Sequence, residues 1–357
     1  MNNKFNLLVI NPGSTSTKVA LYENEKELFK ESLEHNSEEL SKYAKIADQY
    51  EMRRNSIQLF LNKIGFDSKD ISAIVARGGI LPPVKSGAYK VNQLMVDRLR
   101  TKPIVEHASN LGAIIAFDMA NDLGIDAYIY DSVAVDELQD IARISGLPEF
   151  PRRSLTHALN MRAVAIKTAK KLNKDYWDCK FIIAHLGGGI SLSAHRYGEM
   201  IDVVTDDEGP FSPERGGRIA TKPLIKACYS GKYDQKTMLN KFRGAGGLSA
   251  YLNTNKALEV EKRISNGDKD AELIYSAMAY QISKCIGELA TVLKGEVDRI
   301  IITGGIAHSD MITNWIKERV DFIAPIEIVP GENELEALAL GALRVLRKEE
   351  KPYEYIE

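Results

Sequence analysis

Residues 7–24 read LLVINPGSTSTKVALYEN. An apolar run stops at Asn11. A Pro–Gly turn follows, Ser and Thr alternate through Ser14, Thr15 and Ser16, and a second strand-like run begins. The plan recurs at 181–198, FIIAHLGGGISLSAHRYG, where the apolar run ends at His185 and Gly187, Gly188 and Gly189 form the turn. Asn11 and His185 stand 174 residues apart, about half the 357-residue chain, and at that offset TSTKVALY aligns with GISLSAHR. The match argues for two copies of one strand–turn–strand unit, and so for two similar domains.

Other segments fit sheets flanked by helices. ISAIVARGG (71–79) reads as a strand ending at Arg77, and AYIYDSVAVDEL (127–138) as a strand ending at Asp131 before a helix start. RIIITGGIAHSDMITNWIKERV (299–320) reads as strand, Gly-Gly, helix. IEIVPGENELEALALGALRVLRKEE (326–350) reads as strand, turn, and a helix with Leu335, Leu338, Ala342, Val345 and Leu346 on one face. Residues 31–63 and 255–294 carry helical spacing.

Composition excludes several classes. The chain is 44% hydrophobic and 27% charged with a formal net charge of −2, so it has core enough to fold and no basic stripe for nucleic acid or an anionic membrane. No apolar run is long enough to span a membrane. Three dispersed cysteines, Cys179, Cys228 and Cys285, make neither a disulfide framework nor a zinc motif and fit a reducing cytoplasm.

Glycine turns between strands let backbone N–H groups approach a ligand, and neighbouring hydroxyls add donors. Gly13 with Ser14, Thr15 and Ser16, the Gly187–Gly189 run, and Gly304-Gly305 are three such turns at strand ends. No GxxxxGK[ST] loop or post-strand GxGxxG is present, so a phosphate chain held by these turns is held differently. Asn11, Arg77, Asp131 and His185 end strands, where open α/β sheets place ligands. His157 sits in RRSLTHALN, Arg215 in PERGGRIATKP, and Glu332 and Glu334 in PGENEL before the last helix. Carboxylates for a hard cation and cations for a moving anion are what phosphoryl transfer needs. Arg77 is also open to a surface ion pair, and Arg152 and Arg153 to a solvated loop. His35 and His195 read as surface residues, and His107 and His308 as helix-start or solvated ones.

LLVINPGSTSTKVALY, VARGGIL, VEHASNLGA, YDSVAVDEL, RRSLTHALN, AHLGGGISLSAH, PFSPERGG, TGGIAHS and PGENELEALALGAL, in that order, resemble the butyrate kinase branch of the acetate kinase family. That family lies within the sugar kinase/heat-shock protein/actin superfamily. The resemblance implies an α/β fold of duplicated actin-like (ribonuclease H-like) domains around a nucleotide cleft. It places residues 1–153 plus about 339–357 in an acyl-substrate and phosphate domain, and 154–338 in a nucleotide domain. It implies reversible phosphorylation of butyrate or a branched relative by ATP to an acyl phosphate and ADP, with Mg²⁺, in a cytoplasmic homodimer or larger assembly that uses neither nucleic acid nor membrane. By the same resemblance Arg77 and Arg215 hold the substrate carboxylate and the moving phosphoryl group. Asn11 and Asp131 serve Mg²⁺ and phosphate, and His157 stabilises the transition state. The turns at Gly13–Ser16 and His185–Gly189 hold phosphates, while Gly304, Gly305 and GAGGLS (244–249) face adenosine. Two positions depart from the family pattern. Thr156 stands where an aromatic residue is expected, and the acidic pair is split as Glu332-Asn333-Glu334, leaving open which Glu serves the metal. An acetate or propionate kinase, a sugar or glycerol kinase, an acceptor-independent actin-like ATPase and an inactive nucleotide-binding module remain the competing readings. Pro82, Pro83 and Val84 are candidates for an apolar acyl wall.

Overall fold

The structure, a computed structural model, describes residues 4–356 of the chain. Contacts divide it into two compact units. Among the described residues the first comprises 4–136, 158–160 and 333–356, and the second 137–157 and 161–332. Apart from residues 158–160, the chain therefore leaves the first unit at Asp136 and returns at Asn333, where the sequence reading placed boundaries at 153 and 338.

The first unit is built on strands β1 (Asn6–Pro12), β2 (Ser16–Glu23), β3 (Lys26–Glu34), β4 (Ala73–Arg77), β5 (Ala88–Lys90) and β6 (Asp126–Tyr130), with β12 (Tyr353–Glu354) at an edge. Their order is β12-β5-β6-β4-β1-β2-β3. The second unit carries β7 (Lys180–Leu186), β8 (Ile190–Arg196), β9 (Glu199–Val204), β10 (Arg299–Gly304) and β11 (Ile326–Pro330) in the order β11-β10-β7-β8-β9. Placing β7 on β1 superimposes the whole second order on β6-β4-β1-β2-β3. In both, an antiparallel meander of three strands joins two parallel strands on the far side of the first.

The repeat is one residue out of step beyond its first strand. Asn11 faces Lys18 across the first hairpin and His185 faces Ser191 across the second. Bulges fall between Leu21 and Tyr22 in the first meander and between Ala194 and His195 in the second. Both landmarks set the second strands 173 residues apart, because the glycine turn is shorter by one. The 174-residue alignment of TSTKVALY with GISLSAHR is thereby corrected. In a strand a slip of one residue exchanges faces.

Within the second sheet, alternate residues face opposite layers, as pleating requires. Ile182, Ala184, Leu186, Ile300 and Ile302 join the cluster formed with the helix Lys269–Val292. Phe181, Ile183 and Ile301 pack with Met161, Val164 and Ala165 of the helix Ala158–Lys171. In the first unit Gly112 of the helix Asn110–Leu123 lies against Pro12 and Ala76, and Gly341 of the helix Glu334–Leu346 lies on the ring of Tyr130.

Three expectations are overturned. Residues 31–34 end strand β3; single turns follow at 37–40 and 46–49, and the long helix begins at Tyr50. KELFKESLE is polar and largely exposed at a sheet edge, so ladder pairing with β2, not a core-facing stripe, decides its form. No helix starts after Asp131: Val135 makes a parallel bridge with Val84, which holds the segment extended. His35 and His195 are buried, not surface residues. His35 Nε2 lies 2.8 Å from Thr17 Oγ1, and His195 bridges Tyr176 Oη and Ser193 Oγ at 2.7 Å each.

Burial, with Arg162 adding to it, pushes the His195 imidazole down to about 3. An unfolded chain protonates this histidine below about pH 6.5, which the folded chain resists. The stabilisation is complete above pH 6.5 and is lost as pH falls, at up to about 1.4 kcal/mol per pH unit. Urea unfolding at pH 7.5, 6 and 5 should show that slope, and His195→Gln should flatten it. An unchanged slope in the variant refutes the assignment.

Candidate active site

In the first unit, β6, β4 and β1 are adjacent, and Asp131, Arg77 and Asn11 stand at their C-terminal ends. The helix Glu334–Leu346 starts beside them. Asn11 Nδ2 donates to Glu334 Oε2 at 2.6 Å, and Arg77 Nη1 lies 3.0 Å from Glu334 Oε1. The structure thus brings Asn11, Arg77 and Glu334 into one cluster. Arg77 does form an ion pair, but with a carboxylate whose side chain is only 15% exposed and which also binds Asn11. Asp131 is 4% exposed and has a left-handed backbone, φ 40°. An aspartate there is strained, a state that persists only where its surroundings enforce it. Its Oδ1 accepts the Gly87 N–H at 2.7 Å.

The turn after β1 closes with the Gly13 N–H on the Ser16 carbonyl, 2.8 Å, leaving Ser14 and Thr15 exposed. Beneath it lies Arg53, 0% exposed, which donates to the carbonyls of Gly13, Ser14 and Ser16, to Thr17 Oγ1 and to Gln49 Oε1. Sequence reasoning missed Arg53. The available signal was its place on the buried stripe Arg53, Ile57, Phe60, Leu61 of an otherwise amphipathic helix.

In the second unit His185 is the penultimate residue of β7 and is 1% exposed. Its ring stacks on His157 at 3.9 Å between centroids, 10° from parallel. His185 Nε2 lies 3.0 Å from Glu332 Oε1. A carboxylate only accepts, so Nε2 carries the hydrogen. His157 Nδ1 lies 2.9 Å from Ser191 Oγ, and His157 itself precedes the helix Ala158–Lys171. Glycine loop 187–189 is anchored by its Gly188 carbonyl, which accepts from Ser212 Oγ (2.7 Å) and the Glu214 N–H (3.2 Å). The residue after Glu214 is Arg215. Its Nε is 3.5 Å from Asp206 Oδ2, near enough for an ion pair, yet this buried donor makes no hydrogen bond among the described residues. Asp206 is shared with Arg243 Nη2 at 3.0 Å.

Arg152 contrasts with Arg215. It donates to Glu208, Asp202 and the carbonyls of Ala142 and Val203, so its guanidinium is consumed by structure. Thr156 is buried and its hydroxyl has no partner among the described residues. Val84 is held in the bridge with Val135, while Pro83 is exposed.

Gly304 closes β10 with φ 93°, and its N–H and C=O both pair with Gly331. The Gly304-Gly305 pair does not open an α-helix, as the sequence suggested. A 3₁₀ turn over Gly305–His308 intervenes, and the helix Asp310–Val320 is capped by Ser309. GAGGLS packs on the Arg215 loop, through the Leu248 and Ser249 N–H groups to the Ser212 and Pro213 carbonyls.

The split acidic pair is divided by the unit boundary: Glu332 belongs to the second unit with His185, and Glu334 to the first with Asn11. No group of three or more His, Cys, Asp or Glu able to hold a metal is assembled among the described residues. Asn11, Asp131 and Glu334 nevertheless offer hard oxygen donors at the ends of β1 and β6, on either side of β4, and at the helix start beside them. This fits Mg²⁺, which is ordinarily held by one or two carboxylates with water and substrate phosphates. No helix among the described residues is long and apolar enough to cross a membrane.

A family model described as the acetokinase family matches residues 150–340. Butyrate kinase 2 of Clostridium acetobutylicum is 51% identical over 354 residues, covering 99% of each chain. Among solved structures, the acetate kinase of Porphyromonas gingivalis aligns with a TM-score of 0.78 at 18% identity, over 93% of this chain and 98% of its own. A propionate kinase from Francisella tularensis aligns with a TM-score of 0.77 at 18% identity, over 94% and 98%. At that identity the two structures establish the fold, the duplicated actin-like α/β architecture.

Proposed function

The chain belongs to the acetokinase family of carboxylate kinases, and on that footing we propose that it transfers the γ-phosphoryl group of ATP to butanoate or a branched relative, giving the acyl phosphate and ADP. The observation that carries the choice of acid is the 51% identity, end to end, with a butyrate kinase. In this reading the first unit takes the acyl substrate and phosphate, and the second the nucleotide.

A carboxylate is already ionised at neutral pH, so no general base is needed. One of its oxygens forms the bond to the γ-phosphorus while the bond to the β-phosphate oxygen breaks, and ADP leaves with that electron pair. No proton moves. Arg77 orients the carboxylate, a task suited to a planar fork. Arg215 and His157 neutralise charge on the equatorial oxygens, which supplies most of the rate in such transfers. The amides and hydroxyls of Gly13–Ser16 and of Gly187–Gly189, with His185, hold phosphates, and Gly304 and Gly305 face the nucleoside. When bound, Mg²⁺ would supply charge neutralisation for the phosphates. Asn11, Asp131 and Glu334 would hold it, Glu334 rather than Glu332 because it shares Asn11. The enzyme works as a cytoplasmic homodimer or larger assembly, with neither nucleic acid nor membrane as partner.

Purified protein with ATP and Mg²⁺ should be offered acetate, propionate, butyrate, isobutyrate, valerate, glycerol and glucose, with hydroxylamine to trap acyl phosphate. The hydroxamate signal should be strongest with a four-carbon or branched acid. Each methylene is worth only about 1–3 kcal/mol of discrimination, so neighbouring acids should react more slowly rather than not at all. A signal with acetate alone, or ADP release only with glycerol or glucose, overturns the proposal.

A further inference from the structure

Arg53 is a cation sealed inside the first unit without a counter-ion. Its side chain is 0% exposed, and no carboxylate pairs with it among the described residues. Burial lowers it to about 10, so it stays charged at neutral pH. Burying an unpaired charge is costly, and core packing alone would be served by an apolar side chain. What the charge does is visible in its acceptors. Nη1 takes the carbonyls of Gly13 (2.9 Å) and Ser16 (3.1 Å) with Thr17 Oγ1 (3.0 Å). Nη2 takes the carbonyl of Ser14 (3.0 Å), and Gln49 Oε1 fixes Nε and Nη2. The next carbonyl, of Thr15, is taken by the His35 N–H at 2.8 Å. Every carbonyl from Gly13 to Ser16 is thus engaged by a donor.

The peptide plane converts this into a statement about the N–H groups. In a trans peptide the C=O of one residue and the N–H of the next point in opposite directions. With the Gly13 and Ser14 carbonyls turned toward Arg53, the N–H groups of Ser14 and Thr15 turn away from it. Both residues are exposed, and neither amide has a hydrogen-bond partner among the described residues. Two successive free amides with a fixed positive charge behind them form an anion-receiving surface.

We propose that Arg53 is a positioning residue that presents the Ser14 and Thr15 amides to a phosphate of the nucleotide, touching no substrate itself. This rests on the reading of Gly13–Ser16 as a phosphate turn. Arg53→Lys keeps the charge but cannot reach three carbonyls, a hydroxyl and Gln49 at once. It should raise the KM for ATP at least tenfold and leave the KM for the carboxylate within twofold. Arg53→Ala should do more, and millimolar guanidinium should restore part of the loss. If both variants melt below the assay temperature, Gln49→Ala, which removes only the acceptor on Nε and Nη2, is read by the same ratio of KM values. A lowered melting temperature with both KM values unchanged makes Arg53 merely structural and overturns the proposal. Amide spectra of protein labelled with ¹⁵N at Ser and Thr, titrated with ATP and Mg²⁺ and separately with inorganic phosphate, separate the two premises. If the Ser14 and Thr15 signals stay fixed in the parent protein, the phosphate-turn reading itself fails, and the proposal with it. If they move equally in the parent and in Arg53→Lys, the turn reading stands and the role of Arg53 fails.

Discussion

Arg215→Ala will lower turnover on the order of 10³-fold and leave the melting temperature near that of the parent chain. The expectation follows from what the guanidinium does in the folded chain. Its Nε is buried and makes no hydrogen bond among the described residues, and the carboxylate nearest it, Asp206, is shared with Arg243. Removing it costs little structure, because Arg243 still balances Asp206. It removes a cation from beside the Gly187–Gly189 turn, where a Cβ on Gly189 would lie 3.4 Å from Arg215 Nε. Arg152→Ala is the control of opposite character. It strips partners from Asp202, Glu208 and two carbonyls at once, and should cost about 3 kcal/mol of stability, below the full value for a buried pair because solvent reaches Glu208. Steady-state kinetics with a thermal melt of both variants checks the pair. If Arg215→Ala keeps near-normal turnover, the role given to Arg215 is wrong. If Arg152→Ala melts like the parent, Arg152 does not hold the loop.

Gly304→Ala should be a strongly damaging single-methyl change in the second unit. Gly304 sits at φ 93°, ψ 172°, a region essentially restricted to glycine, and an added Cβ would lie 2.4 Å from the Leu186 carbonyl oxygen. Backbone strain and the clash together should cost about 3 kcal/mol or more. They should also push the end of β10 away from the end of β7, where the glycine turn begins. Gly305→Ala separates fold from ligand. It is exposed, with no heavy atom within 4 Å of the added carbon, so its melt should match the parent. If the nucleoside approaches there, its KM for ATP should rise. A stable Gly304→Ala protein with normal kinetics would contradict the close-packing argument.

Much of the site was legible in the sequence for a local reason. Asn11, Arg77, Asp131 and His185 each end or directly follow a short apolar run, and such runs mark strands wherever they occur. The repeat was legible because both copies pair apolar strands with a glycine turn. Its register beyond the turn was not, since one residue deleted from a loop leaves no mark in the alternation on either side. The stretch 31–34 reads as helix only by extension from the helical residues that follow, since Glu-Ser-Leu-Glu holds one apolar residue and no period of its own, and pairing with β2 decides its form.

The sequence by itself determined the α/β duplication, the glycine turns and the family, because periodicity, turn chemistry and ordered motifs reside in neighbouring residues. Tertiary structure alone decided which polar groups are spent on the fold and which remain for chemistry. Arg53 is consumed by a turn some 40 residues earlier, Arg152 by carboxylates 50 and 56 residues later, and Arg215 keeps a donor unused. Glu332 and Glu334 are two positions apart yet answer to His185 and Asn11 in different units. Hydrogen-bond satisfaction depends on partners distant in the chain, and whether a charge is structural or free is a property of those partners, not of its own segment.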